Sequence, residues 1–163
     1  MSSRKHPPQR YENCLWKAAY AWTSFQYVRD VCDYILNKQI QPEATIYYPL
    51  VAAICALYAR PFKPSKGIES LTVQFVPKEF HDLHHQLILL RDQTVAHVDA
   101  RSAPFQGLPA NNVRLIIRDR QVRLDVHAPK FKLTTISQIR ELASALVKRM
   151  LEYTNELVSQ YPK

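Results

Sequence analysis

One stretch of the sequence combines a guanidinium, a carboxylate and an imidazole at a spacing suited to phosphate chemistry. Arg91 and Asp92 are adjacent, and His97 follows with five residues between it and Arg91. A guanidinium binds two phosphate oxygens through its planar fork, and an imidazole exchanges protons near neutral pH. Together these groups can stabilise charge on a phosphate and move a proton beside it.

The same residues also have a purely structural interpretation. On a helical wheel Arg91 falls inside an apolar stripe, between Leu87 and Val95. A guanidinium there either extends along the bundle to reach water or pairs with a carboxylate on another helix. His97 is favourable near the negative end of a helix dipole. Helical geometry alone leaves both interpretations open.

The segment Leu90 to Asp99 resembles the motif of HEPN domains, in which an arginine and a polar residue are followed, after a short spacer, by a histidine. These small helical bundles occur in prokaryotic toxins, abortive-infection proteins and larger RNA-cutting assemblies. Tyr58-Ala59-Arg60-Pro61-Phe62 also looks like an element of an uncharacterised bacterial branch of that family. The resemblance covers about residues 11–160.

This resemblance implies a metal-independent endoribonuclease, a toxin or phage-defence component, with Arg91 and His97 at a homodimer site. Asp92 or Asp99 would orient the His97 or Arg91 of a partner chain, and no cofactor or metal is expected. The implied partners are RNA, a second copy of the chain and an antitoxin protein. Two alternatives are a non-catalytic HEPN-type module that binds nucleic acid, a nucleotide or a partner protein, and a helical scaffold without a ligand.

A second group of basic residues lies in a predicted β-hairpin. Arg114, Arg118 and Arg123 share its non-core face and are candidates for binding an RNA backbone. A solvated hairpin face is the competing interpretation. Arg120 and His127 repeat an Arg-to-His spacing of the motif, but their place in the hairpin rather than on a core helix argues against a site there.

Three histidines cluster before the motif, at His81, His84 and His85. His81 and His85 are four residues apart, a spacing that can place two imidazoles on one zinc ion. The sequence supplies no second pair of ligands, so we predict no metal site.

The elements that must position these residues are mostly helices. Apolar periodicity predicts helices over about 11–37, 43–60 and 77–99, with Pro49 either kinking the second or marking its start. A capping box from Thr135 to Gln138 opens the last helix. Alternation at 113–118 and 122–127 predicts the hairpin. The expected core row of the first helix is Leu15, Ala18, Trp22, Phe25, Cys32 and Leu36. The expected core row of the last helix is Ile139, Leu142, Leu146, Met150, Leu157 and Tyr161.

The predicted fold class is therefore mainly α: a four-helix up-and-down-type bundle with a β-hairpin, 113–127, inserted before the last helix. Residues 1–163 are predicted to form one domain, of which residues 1–10 are a flexible tail. With only two glycines, the chain lacks a Gly-rich phosphate loop. The net charge of +8 favours polyanions. Three cysteines without a CxxC pair indicate a reducing, cytoplasmic location, and no apolar run predicts a membrane partner.

Overall fold

The computed structural model describes the backbone at 9–64, 69–92, 104–105, 108–109, 112–118, 121–127 and 130–160, and side chains at 10–64, 69–92 and 130–160. Its helices are α1 (Gln9–Asn37), α2 (Tyr47–Ala59), α3 (His81–Leu90) and α4 (Leu133–Ser159). Short 3₁₀ turns lie at Arg60–Phe62, Val73–Phe75 and Lys78–Phe80.

The two long helices, α1 and α4, run antiparallel and form the largest helix–helix interface. The Tyr11 hydroxyl near the start of α1 donates to the Leu157 carbonyl near the end of α4, at 2.6 Å. At the other end, the Arg140 guanidinium pairs with Asp33. Helix α2 packs on α1, and α3 packs on α2.

The core is a continuous apolar cluster between these helices. From α4 it takes a row of fully buried side chains, Ile136, Ile139, Leu142, Leu146 and Met150. The facing row on α1 consists of Ala18, Ala21, Phe25, Val28, Cys32 and Ile35. Each large apolar side chain removed from water in this way contributes about 1.5–3 kcal/mol, so burial of these two rows holds the antiparallel pair together.

The predicted fold class is wrong in treating a β-hairpin as part of the domain. The residues with described side chains form helices and turns and contain no strand. Elsewhere only the backbone is described: β1 (Pro104–Phe105) pairs with β2 (Leu108–Pro109), and β3 (Asn112–Arg118) pairs with β4 (Gln121–His127). Each pair is a two-stranded ribbon with no further described strand. Such a ribbon is too small to form a layer of its own, and the fold class is mainly helical.

The predicted core row of α1 needs a correction. Trp22 is 38% exposed, whereas Ala21, Val28 and Ile35, which were not in that row, are fully buried. The apolar residues of α1 surround most of the helix, so their spacing allowed more than one stripe. Contact with α4 selected the stripe that is buried.

Helix boundaries also differ from the predicted ones. Helix α2 begins at Tyr47, so Pro49 lies in its first turn, where a missing N–H breaks no helical hydrogen bond. Helix α4 begins two residues before the proposed capping box, and no side chain caps it. Instead the Thr135 and Ile136 N–H groups donate to the Lys132 carbonyl, at 2.9 and 3.1 Å.

The third helix begins later than the predicted residue 77. Pro77 precedes a 3₁₀ turn, and among the described residues regular α-helix spans His81–Leu90. Arg91 and Asp92 then have π-helical geometry. Residues 93–100, which include His97 and Val95, lie outside the described residues. Among the described helices, none combines the length and apolar character that crossing a bilayer requires.

Candidate functional site

Three charged side chains meet where α3 ends. The Arg91 guanidinium donates to Asp92 Oδ1 at 3.0 Å, and the Lys63 ammonium donates to Asp92 Oδ2 at 2.5 Å. The side chains of Lys63, Arg91 and Asp92 are 29%, 35% and 39% exposed, so water and a ligand can reach all three. Two cations share one carboxylate, which leaves this cluster with a net positive charge.

The ionisation of Asp92 follows from its two cationic neighbours. Partial burial tends to raise the pKa of its carboxyl group, but the hydrogen bonds and charges of Lys63 and Arg91 outweigh burial and hold that pKa below its ordinary value. Asp92 is therefore an anion at neutral pH and can keep both cations in place.

The turn between α2 and α3 positions Lys63. Pro61 lies in the 3₁₀ turn that follows α2, and its carbonyl accepts from the Leu71 N–H at 2.8 Å. The Phe62 ring packs on His84 of α3, with ring centres 4.6 Å apart. These contacts fix the end of the turn against α3, and Lys63 consequently reaches Asp92.

A buried histidine lies on the same helix as Arg91, seven residues earlier. His84 is only 6% exposed, and its Nδ1 shares a 2.9 Å hydrogen bond with the Tyr58 hydroxyl. Burial, with smaller effects from His85 and His81, lowers the pKa of His84 to about 4. Its imidazole is therefore neutral at pH 7, and it braces the turn that carries Lys63.

The structure brings together part of the predicted site. Arg91 and Asp92 lie in one cluster, while His97 is outside the described residues. Arg114, Arg118 and Arg123 lie in strands of which only the backbone is described, opposite Asp125, Gln121 and Ile116 respectively. The described contacts do not connect these strand positions with Arg91.

Two members of the site were missed by reasoning from the sequence. Lys63 carries no local signal, because its partner Asp92 is 29 residues away. The packing role of His84 had a weak signal, since its spacing from Leu87 and Arg91 places the three on one helical face. The Tyr58 to Phe62 element is now explained in part: Tyr58 and Phe62 both contact His84.

The three clustered histidines do not gather as metal ligands. His81 Nε2 is hydrogen-bonded to the Val76 carbonyl at 3.1 Å, and His84 is bonded to Tyr58. Among the described residues, no group of three or more His, Cys, Asp or Glu side chains is placed to hold a metal ion.

The cluster can bind a phosphate. Lys63 provides a compact positive charge and Arg91 a planar donor. Both side chains are partly exposed to water, so an incoming anion can reach them without a rearrangement of the core. Asp92 competes for the same donors and keeps them oriented when no ligand is present. When compared with protein-family models, with curated proteins and with solved structures, the chain matched none of them.

Proposed function

We propose that this chain is a HEPN-like, metal-independent endoribonuclease in which Arg91 and His97 act on the scissile phosphate. The observation that carries the proposal is the accessible cluster at the end of α3, where Arg91 and Lys63 present two cations around Asp92. The net charge of +8 supports a polyanionic substrate. Asp92 is a positioning residue that holds the Arg91 guanidinium.

The proposed reaction needs no bound metal. The ribose 2′-oxygen attacks the adjacent phosphorus and loses its proton, the bond from phosphorus to the 5′-oxygen breaks, and that oxygen gains a proton. The products are a 2′,3′-cyclic phosphate and a 5′-hydroxyl. His97 exchanges protons with the reacting oxygens, while Arg91 and Lys63 stabilise the charge that builds on the phosphate.

A homodimer belongs to the same proposal. The family resemblance implies one arginine and one histidine from each of two copies, and a two-fold axis would bring equivalent helix ends together. A role as a toxin or phage-defence component, restrained by an antitoxin protein, is likewise part of it. Expression of the wild-type chain in bacteria should then slow growth, and expression of Arg91→Ala should not.

The direct test incubates the purified protein with single-stranded RNA in EDTA and identifies the product ends. We expect cleavage with cyclic-phosphate ends, and loss of at least about 100-fold in rate in both Arg91→Ala and His97→Ala. Replacement of the 2′-hydroxyl by hydrogen in the substrate should abolish cleavage, because the nucleophile is absent.

Matched controls come from the sequence itself. Arg120→Ala and His127→Ala remove another arginine and histidine at a similar spacing and should leave the rate unchanged. Asp92→Asn should lower the rate about 10-fold, because this change loosens the Arg91 guanidinium without removing it. Arg91→Ala, which removes the guanidinium, should lower the rate further. Equal rates in wild type and Arg91→Ala would show that the nuclease proposal is wrong.

The non-catalytic alternative predicts a different result. RNA would then bind to the wild-type chain and less tightly to Arg91→Ala, and no product would form with either. That outcome would leave an RNA-binding module with the same cationic cluster.

A further inference from the structure

A second surface of the molecule has the composition of a base-binding groove. A groove of about 280 Å³ runs along α1 beside the end of α2, close to the lower size limit of ligand pockets, about 300 Å³. Three aromatic side chains and one cation surround small residues at its floor. Its lining consists of Trp16, Ala19, Tyr20, Thr23, Ser24, Tyr27 and Arg60.

Two of the three aromatic side chains in this groove are exposed to solvent. Trp16 is 68% exposed and Tyr27 is 53% exposed. The Arg60 guanidinium lies over the Tyr20 ring, with its Cζ atom 4.4 Å from the ring centre, and this stacking fixes both side chains. The groove thus offers flat faces on which another aromatic ring can stack without prior rearrangement of the core.

The floor of the groove has an unused polar group. Ser24 is 2% exposed, and its hydroxyl makes no hydrogen bond with any residue that the structure describes. By contrast the Thr23 hydroxyl already donates to the Ala19 carbonyl at 3.0 Å. A buried hydroxyl without a partner is unfavourable, so a ligand whose polar edge reaches Ser24 would gain a hydrogen bond there.

The charge of the groove narrows the class of ligand. Its lining contains a cation, Arg60, and no carboxylate. A purely apolar helix from a partner protein would leave Arg60 and Ser24 unmatched. A nucleotide matches the aromatic faces, the Ser24 hydroxyl and the Arg60 guanidinium. Its base stacks on an aromatic ring, the edge of the base forms a hydrogen bond with Ser24, and its phosphate pairs with Arg60.

One 3₁₀ turn connects the groove to the cationic cluster described above. Arg60 and Phe62 bound one 3₁₀ turn, and Lys63 follows directly. Arg60 faces Tyr20 on the α1 side, while Lys63 reaches Asp92 on the α3 side. Three residues of 3₁₀ helix rise only about 6 Å along the backbone, so one short turn carries a cation to each of the two surfaces.

We infer that the α1 groove binds an unpaired base of a single-stranded RNA whose backbone continues to Lys63 and Arg91. This inference rests on the proposed function and adds a second binding site, in which one base of the RNA is held. A paired base cannot enter the groove, so the RNA must be single-stranded at this point. Trp16 and Tyr27 supply the stacking faces, and Arg60 supplies the cation.

The test measures binding of a labelled single-stranded oligouridine by fluorescence anisotropy. Trp16→Ala and Tyr27→Ala should each weaken binding by about 5- to 100-fold, the range seen when one base loses its aromatic partner. The matched controls Trp22→Ala and Tyr34→Ala remove exposed aromatic side chains of the same helix that do not line the groove and should change affinity less than about two-fold.

A second readout reports stacking directly. The chain has two tryptophans, so Trp22→Phe leaves Trp16 as the sole tryptophan. Its fluorescence should be quenched by the oligouridine and not by inorganic polyphosphate, which has charge but no bases. Duplex RNA of the same length should bind more weakly and leave Trp16 unquenched.

The outcomes separate this inference from the proposed function. Normal RNA affinity in Trp16→Ala and Tyr27→Ala, with cleavage still dependent on Arg91, would show that the groove does not bind a base and would leave the nuclease proposal supported. RNA binding that depends on the groove residues, without any cleavage, would support base binding and contradict the nuclease proposal. If the groove variants instead change only the size of the particle in solution, the surface joins protein copies and the base-binding assignment is wrong.

Discussion

At the scale of single residues, His84 shows how burial can convert a titratable side chain into a structural one. Its imidazole is enclosed by Tyr58 and Phe62, and the Tyr58 hydroxyl takes part in its one described hydrogen bond. Because the neutral form is favoured, His84 is a poor general acid at pH 7. Proton transfer in the proposed reaction therefore depends on His97.

The lowered pKa of His84 predicts a pH-dependent stability. In the unfolded chain its pKa is near 6.5, and in the folded protein about 4, so the unfolded state takes up the proton first as the pH falls. The contribution of the neutral His84 imidazole to the free energy of unfolding is present above pH 6.5 and is lost progressively down to about pH 4. The full loss is about 3 kcal/mol in the free energy of unfolding.

Urea unfolding at several pH values measures this dependence. His84→Asn retains an amide beside Tyr58 but does not titrate, so its free energy of unfolding should fall less between pH 6.5 and 4. Parallel curves for the two proteins would mean that other groups cause the acid sensitivity.

At the scale of elements, the packing of α1 against α4 forms the largest helix–helix interface of the fold. Leu146 is fully buried in this interface, whereas Leu151, on the same helix, is 55% exposed. The difference arises because only one stripe of α4 faces α1.

Substitution of these two leucines should separate burial from helix propensity. Leu146→Ala creates a cavity and should lower the free energy of unfolding by about 2–5 kcal/mol. Leu151→Ala makes the same chemical change at the surface and should alter it by less than about 0.5 kcal/mol. Chemical denaturation measures both, and similar losses in the two variants would contradict the assigned buried face.

At the scale of the whole molecule, the net charge of +8 favours the polyanionic ligand that the proposed function requires. The net charge of +8 is what remains after every carboxylate is counted, including Asp33, which pairs with Arg140, and Asp92, which pairs with Lys63. Binding of RNA should release counterions from its phosphates, so affinity should depend on salt.

We expect RNA affinity to fall about 20-fold between about 50 and 200 mM salt if on the order of three phosphates are neutralised. Arg91→Gln should reduce the slope of log affinity against log salt by about 0.7, because one phosphate contact is removed. Arg149→Gln, a change on α4 where the guanidinium pairs with Glu152 and Glu156, should leave the slope unchanged. A salt-independent affinity would rule out phosphate contacts as the basis of binding.

The amino-acid sequence by itself determined the presence of the helices and the buried stripe of α4. Apolar spacing at 3.6 residues per turn is a local property, and for α4 it left one apolar face. Of the predicted row, Ile139, Leu142, Leu146 and Met150 are fully buried. Leu157 is only partly buried, and Tyr161 lies outside the described residues. It also determined the adjacency of Arg91 and Asp92.

Only the tertiary structure decided which face of α1 is buried, where α3 begins and which residue of another element pairs with Asp92. Trp22 and Val28 are both apolar, and packing on α4 rather than periodicity chose between them. The pairing of Lys63 with Asp92, and of Arg60 with Tyr20, links residues distant in the chain. Such contacts depend on how helices pack, and no local spacing encodes them.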